Sequence, residues 1–292
     1  MRHPIDPKID CVFKALLGSE SNRALLIHFL NAILGADLGA PITSVEILNP
    51  YNEREFLDDK LSVVDVKARD EHARLHQIEI QLLTYRDLPT RIIYTWADLY
   101  SAQLQRGEDY DKLKPTYAIW LLGEALLHDT EAYVHDFRLR DANARCLVEH
   151  GGIWLLELSK FHADGVQTEQ ERWLKFFKDG AMLDSKALPP WMQTPEMKQA
   201  MSTLETFSEK ERAYHAYQAR ENFLREQRSI QRHLEELRAE AEQARASEVQ
   251  ERTAKEQERA AKEQERMAKE QERAAKEAAL AEIERLKAQL RS

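Results

Sequence analysis

Two short β-forming runs, 61–69 (LSVVDVKAR) and 75–83 (LHQIEIQLL), flank the polar turn DEHAR at 70–74 and place two carboxylates where they could act together. Pairing centred on His72 sets Asp65 opposite Glu79 and Val63 opposite Gln81. Alternation then assigns Asp65, Lys67, Gln77, Glu79 and Gln81 to one face, and Val64, Val66, Ile78 and Ile80 to the other. The second face is expected to be core and the first to meet solvent. Directly opposed carboxylates repel, so their presence among β-branched residues calls for an offsetting charge. A divalent cation supplies one. Oxygen-only ligands suit Mg²⁺ or Mn²⁺, which keep several waters and accept phosphate oxygens, and the pattern points to phosphodiester cleavage. A hairpin that merely carries two acids on its wet face has the same spacing, and a five-residue loop fixes register less firmly than a two-residue turn.

The rest of the chain limits the alternatives. At 292 residues it can bury a sizeable core as one or two domains. Only Cys11 and Cys146 are present, far apart and without CxxC spacing, which argues against a disulfide framework and fits a reducing, cytoplasmic setting. The longest apolar run, 24–34, is broken by His28 and Asn31 and is too short to span a bilayer; no membrane partner is expected. Histidines lack HExxH spacing, which argues against zinc, and no GxxxxGK[ST] phosphate loop is present. Residues 209–292 hold 19 Lys/Arg and 19 Asp/Glu, so the net charge of −9 falls on the preceding part. DNA affinity should therefore rest on local cations and be sensitive to salt.

The elements that must position the acids read as an α/β domain with a mixed sheet. Helices are expected over 11–18 and 21–35, with Ser21 as cap and Gly35 as stop, and a short strand over 43–48. After the hairpin, Asp87-Leu88-Pro89 opens a helix running to Arg106. The apolar run 114–123 reads as a buried strand, and 132–141 and 151–161 supply two more. Aromatic residues thin out beyond Trp191 and end at Phe223, which draws a domain boundary at 205.

From Ser208 the pattern changes. Ser208 and Glu211 have capping-box spacing, and no proline or glycine follows, so a helix of roughly 80 residues is permitted, about 120 Å at 1.5 Å per residue. A seven-residue repeat, RTAKEQE, RAAKEQE, RMAKEQE, RAAKEAA, starts at Arg252. It sets Glu251, Glu258, Glu265 and Glu272 four residues before a lysine, and Arg252, Arg259, Arg266 and Arg273 four before a glutamate. Its alanine seam leaves a lone charged helix and a coiled coil both open, while Leu280, Ile283, Leu286 and Leu290 favour self-association, such as a homodimer.

Three blocks carry a family resemblance: DPKIDCVFKALLG, DDKLSVVDVKARDEHARLHQIEIQ, and RIIYTWADLYSAQLQRGEDYDKLKPTYAIWLL. Together with IWLLELSKF they resemble the PD-(D/E)XK nuclease family transposases of the recombination-promoting nuclease type, over about residues 4 to 180. The resemblance implies a restriction-endonuclease-like fold, a mixed sheet flanked by helices, and a Mg²⁺- or Mn²⁺-dependent DNA endonuclease. Asp65 and Glu79 match its metal-binding acids, and Gln81 stands where the wider superfamily has lysine. An amide brings no cation, so Gln81 could only orient water or phosphate, and a lysine there is expected to retain or raise cleavage. Asp10, at the start of the first helix, matches a family acid and is either a helix cap or an accessory metal group. Arg91 and Tyr94, three apart on one helix, match a family pair that could hold phosphate or simply pack. Lys67 shares the face of Asp65, where a solvated charge is its plainest role. The other class of function is a catalytically weak or inactive nuclease fold that acts as an interaction protein through its C-terminal helix.

Overall fold

The computed structural model describes residues 4–48, 65–163, 165–209 and 211–289. Residues 61–64, which include Val63 and Val64 of the expected first hairpin strand, lie outside them, as does Leu290. Helix α1 (Asp10–Leu17) forms because Val12, Phe13, Leu16 and Leu17 recur on one face, all buried. Helix α2 (Arg23–Leu34) buries Leu25, Leu26, Phe29, Leu30, Ile33 and Leu34 and stops at Gly35. Ser21 does not cap it: the helix starts after Asn22, and the Ser21 hydroxyl meets that of Ser19 at 2.8 Å.

Strands β1 (Val45–Leu48), β2 (Val66–Asp70) and β3 (Leu75–Gln81) follow. Helix α3 (Leu88–Ser101) has Pro89 in its first turn, where the missing N–H costs nothing. It ends five residues before Arg106 because the Gln103 amide donates to the carbonyls of Tyr100 and Lys114 and accepts from the Lys114 N–H, turning the chain toward the next strand. Strands β4 (Thr116–Leu122), β5 (Val134–Phe137) and β6 (Gly151–Glu157) complete a six-stranded sheet of order β1-β2-β3-β4-β6-β5. The three central strands β3, β4 and β6 are parallel and the outer pairings antiparallel, a mixed sheet. Helices α4 (Glu169–Asp179), α5 (Pro195–Glu209) and α6 (Glu211–Gln289) end the described chain. A complete capping box opens α4, between Thr168 and Glu171. Ser208 opens nothing; it lies inside α5.

Side-chain alternation gives the sheet two apolar faces. Val66, Ala68, Ile78, Ile80, Ile119 and Leu121 join α1, α2, α4 and α5 in the larger core. Ala118, Trp120, Leu122, Ile153 and Leu155 pack against Leu88 and Ile92 of α3 in a smaller one. The second face was expected to be wet at β3; α3 covers it instead, and β3 is buried at every residue from Leu75 to Ile80. This is what a parallel central strand requires, since the connection through α3 lays a helix over that side.

The chain divides into two compact units, Met1–Leu224 and Arg225–Ser292. The first runs past the boundary drawn at 205. Tyr217, 5% exposed, belongs to the larger core, and Tyr214 and Leu224 pack on it. Its hydroxyl accepts the Asp6 N–H at 3.3 Å. In the second unit the expected pairs form between Glu251 and Lys255, Arg252 and Glu256, Glu272 and Lys276, and Arg273 and Glu277, while Arg266 turns back three residues to Glu263. Leu280 and Ile283 are exposed; the side chains of Glu258, Glu265 and Leu286 lie outside the described residues. Among the described residues no helix is long and apolar enough to cross a membrane.

Candidate active site

Register decides where the acids lie. Val66 pairs with Ile78 and Lys67 with Gln77, the alignment that centres the turn on His72. Asp65 immediately precedes β2, and its Oδ2 accepts the N–H of Ile80 at 2.9 Å. Ile80 lies beyond the last paired residues of the described ladder, so the side chain takes over where the strand ends. Oδ1 of Asp65 lies 3.1 Å from the Lys14 ammonium on α1.

Glu79 is 2% exposed. Its Oε1 accepts from the Gln77 amide at 3.1 Å, and β4 sets Trp120 beside it in the sheet. Burial first, and then the neighbouring Asp65 charge, pushes the Glu79 carboxyl well above the usual carboxylate range, while Arg91, Gln77 and Lys14 pull it back. Gln77 Oε1 and Trp120 Nε1 are both buried with no hydrogen-bond partner, an acceptor and a donor unsatisfied on the Glu79 face.

Gln81 donates through Nε2 to the Leu83 carbonyl at 2.8 Å and accepts through Oε1 from Arg91 at 3.3 Å. Each end of the amide thus has one fixed partner, and one N–H and one lone pair remain. Arg91 also donates to the Tyr85 hydroxyl at 3.2 Å and lies 5.5 Å from the centre of the Trp120 ring. Stacking on that ring holds the guanidinium beside Glu79.

The other residues singled out from sequence separate. Tyr94 is 45% exposed on α3, and the phenol in contact with Arg91 is that of Tyr85. Asp10 does not join the two acids: its Oδ1 accepts the Cys11 N–H at 2.9 Å and its Oδ2 lies 3.2 Å from Arg220. It sits one residue inside α1, after Ile9, and so is not the helix cap either. Lys67 is half-buried in β2, between Leu48 and Gln77. Sequence reasoning missed Lys14, Tyr85 and Trp120. Lys14 and Tyr85 lie far from the hairpin face or outside it in sequence, and no spacing rule connects them to Asp65; Gln77 was placed on the correct face without a partner.

The model of the PD-(D/E)XK nuclease family transposases matches residues 7–234. The chain belongs to that family. Its mixed sheet with flanking helices is consistent with the restriction-endonuclease-like α/β fold. Membership in the PD-(D/E)XK nuclease family transposases supports a nuclease- or transposase-like function, implies DNA as partner, and brings in nucleases that generally use divalent metal ions. No curated protein and no solved structure matches the chain.

Proposed function

We propose that this protein is a divalent-metal-dependent DNA endonuclease that hydrolyses phosphodiester bonds, with Asp65 and Glu79 as its metal-binding acids. The observation that supports the reading is the register of β2 and β3, whose continuation by one residue would set Asp65 against Glu79, with Lys14 in contact with Asp65 and the Arg91 charge acting on Glu79.

The donor set fits a hard cation. Both candidate ligands are carboxylates, and burial of one beside the other is an arrangement that added positive charge relieves. Among the described residues no group of three or more His, Cys, Asp or Glu gathers around a common point, so Asp65 and Glu79 would hold Mg²⁺ or Mn²⁺ with water and phosphate oxygens completing its shell. When bound, such an ion supplies Lewis acidity toward the phosphate and lowers the pKa of a water.

The chain's own groups do the rest. The Ile80 N–H fixes the Asp65 carboxylate, and the Gln77 amide fixes that of Glu79. Helix α3 keeps solvent from Glu79, which strengthens every charge interaction there. Arg91, anchored by Tyr85 and Gln81, retains further N–H groups for a phosphate oxygen. Gln81 has one N–H and one lone pair left to orient the attacking water. The same reading places the work in the cytoplasm, which suits two free cysteines, and assigns self-association to the exposed Leu280 and Ile283 of α6.

Supercoiled plasmid incubated with the full-length protein tests the reading. Nicking should require Mg²⁺ or Mn²⁺ and stop with a chelator. Intact plasmid in metal-replete buffer, with DNA binding retained, would favour an interaction protein built on the nuclease fold.

A further inference from the structure

Gln81 is neutral where a lysine would stand beside the scissile phosphate. The structure brings one from another element. Lys14 is on α1, far from the hairpin in sequence, and its Nζ lies 3.1 Å from Asp65 Oδ1. The approach is built into the backbone. Gly18 closes α1 by donating its N–H to the Lys14 carbonyl at 2.8 Å. A Cβ at that position would lie 2.9 Å from that carbonyl oxygen and 3.3 Å from Val66 Cγ2. Glycine therefore lets the end of α1 press against the first residue of β2, next to Asp65. The Lys14 side chain remains 43% exposed, so its ammonium is held at the site and still open to a ligand from solvent.

We infer that Lys14 is a catalytic residue that supplies, from α1, the cation that Gln81 cannot supply from β3. The ammonium has three N–H donors and, among the described residues, pairs with Asp65, so it can also donate to a non-bridging oxygen of the scissile phosphate. It forms no covalent bond and gives up no proton; it opposes the negative charge that builds on the phosphate as water attacks. This inference rests on the nuclease reading above.

The test compares full-length wild type, Lys14→Met, Lys14→Arg and Glu79→Ala in three measurements: single-turnover plasmid nicking in Mg²⁺, Mn²⁺ binding by electron paramagnetic resonance, and the salt dependence of DNA binding. Lys14→Met should slow nicking by about a hundredfold, and Lys14→Arg should recover part of the loss. Mn²⁺ affinity in Lys14→Met should be unchanged or higher, since the ammonium no longer competes for Asp65. The slope of log affinity against log salt should fall by about one. Nicking by Lys14→Met within about twofold of wild type, beside an inert Glu79→Ala, would overturn the role of Lys14 and leave the nuclease intact. Weakened Mn²⁺ binding together with lost nicking would overturn it as well, reducing the ammonium to a prop for Asp65. Wild type that nicks nothing would overturn the nuclease, and an unchanged salt slope in Lys14→Met would then remove the phosphate contact too.

Discussion

Arg91 Nη1 lies 3.3 Å from Gln81 Oε1, so the Gln81 amide serves as an acceptor for a cation from α3. This reverses the expectation for a lysine at 81. An ammonium there would face the guanidinium it now anchors, and like charges would drive Arg91 from its place over Trp120. Gln81→Lys should lose about tenfold or more in nicking, and Arg91→Ala a similar amount, with melting temperatures within a few degrees of wild type. Single-turnover assays on both variants check this. A Gln81→Lys variant faster than wild type would show that position 81 wants charge and that Arg91 is dispensable.

Asp65 and Glu79 should separate in their effect on stability while agreeing in their effect on activity. Asp65→Ala and Glu79→Ala should each reduce nicking by at least about a hundredfold. Asp65→Ala also removes the acceptor of the Ile80 N–H and the partner of Lys14, and should melt slightly lower. Glu79→Gln keeps the shape and removes a buried charge, so without metal it should melt at or above wild type at pH 8. Differential scanning calorimetry in chelator, paired with plasmid assays, reads both. A Glu79→Gln variant that melts well below wild type in chelator would mean that its carboxylate is held by contacts stronger than those described.

How much of this was readable in the chain depends on where each interaction closes. The register of the hairpin was, because a turn centred on His72 and strict alternation leave little freedom: Val66 meets Ile78 as the pattern demands. The fold class followed from helices separated by β-branched runs. The burial of Glu79 was not, because it depends on α3 packing Leu88 and Ile92 over Trp120, a contact with no local pattern. Lys14 escaped for the same reason. Its spacing on α1 marks only a residue outside the buried stripe, and the strand it reaches is set by tertiary packing. Tyr217 shows the opposite error, in which a sparse aromatic count beyond Trp191 hid a residue that completes the core.

Acid should act on the far end of the same hairpin. Burial raises the Asp70 carboxyl, but hydrogen bonds from His76 at 2.8 Å and Arg74 at 2.6 Å outweigh it and hold the group down to about 2. A carboxyl with a depressed folded-state pKa contributes stability that is present above its ordinary value near 3.8 and is lost as pH falls toward about 2. His76 adds an earlier loss. Burial holds its imidazole below the ordinary value despite Asp70, so the unfolded chain takes the proton first and stability begins to fall as pH drops through about 6.5. Asp70→Asn should cost on the order of 1 to 2 kcal/mol at pH 7 and flatten the limb between about pH 4 and 2. Urea melts from pH 7 to 2 provide the comparison. An unchanged acid limb in Asp70→Asn would place the titration elsewhere.

Truncation tests where the globular unit ends and what the tail does. A cut after Leu224 keeps Tyr217 with its hydrogen bond to Asp6, and Arg220 with its pair to Asp10, and should leave a cooperative fold that binds Mn²⁺ like the full chain. A cut after Thr206 removes Phe207, Tyr214, Tyr217 and Leu224 from the larger core and should melt lower by several degrees, since a buried aromatic is worth about 3 kcal/mol or more. Light scattering on the same pair of proteins addresses self-association. If Leu280 and Ile283 close a two-stranded coil, the full chain should have twice the mass expected for one copy and the Leu224 truncation the mass of one. Between them, the charged repeat pairs Glu251 with Lys255 and Glu272 with Lys276 along its own surface, which keeps the helix solvated whether or not it dimerises. A full-length protein that remains monomeric at high micromolar concentration would leave α6 as a lone charged helix, and equal melting of the two truncations would return the boundary to 205.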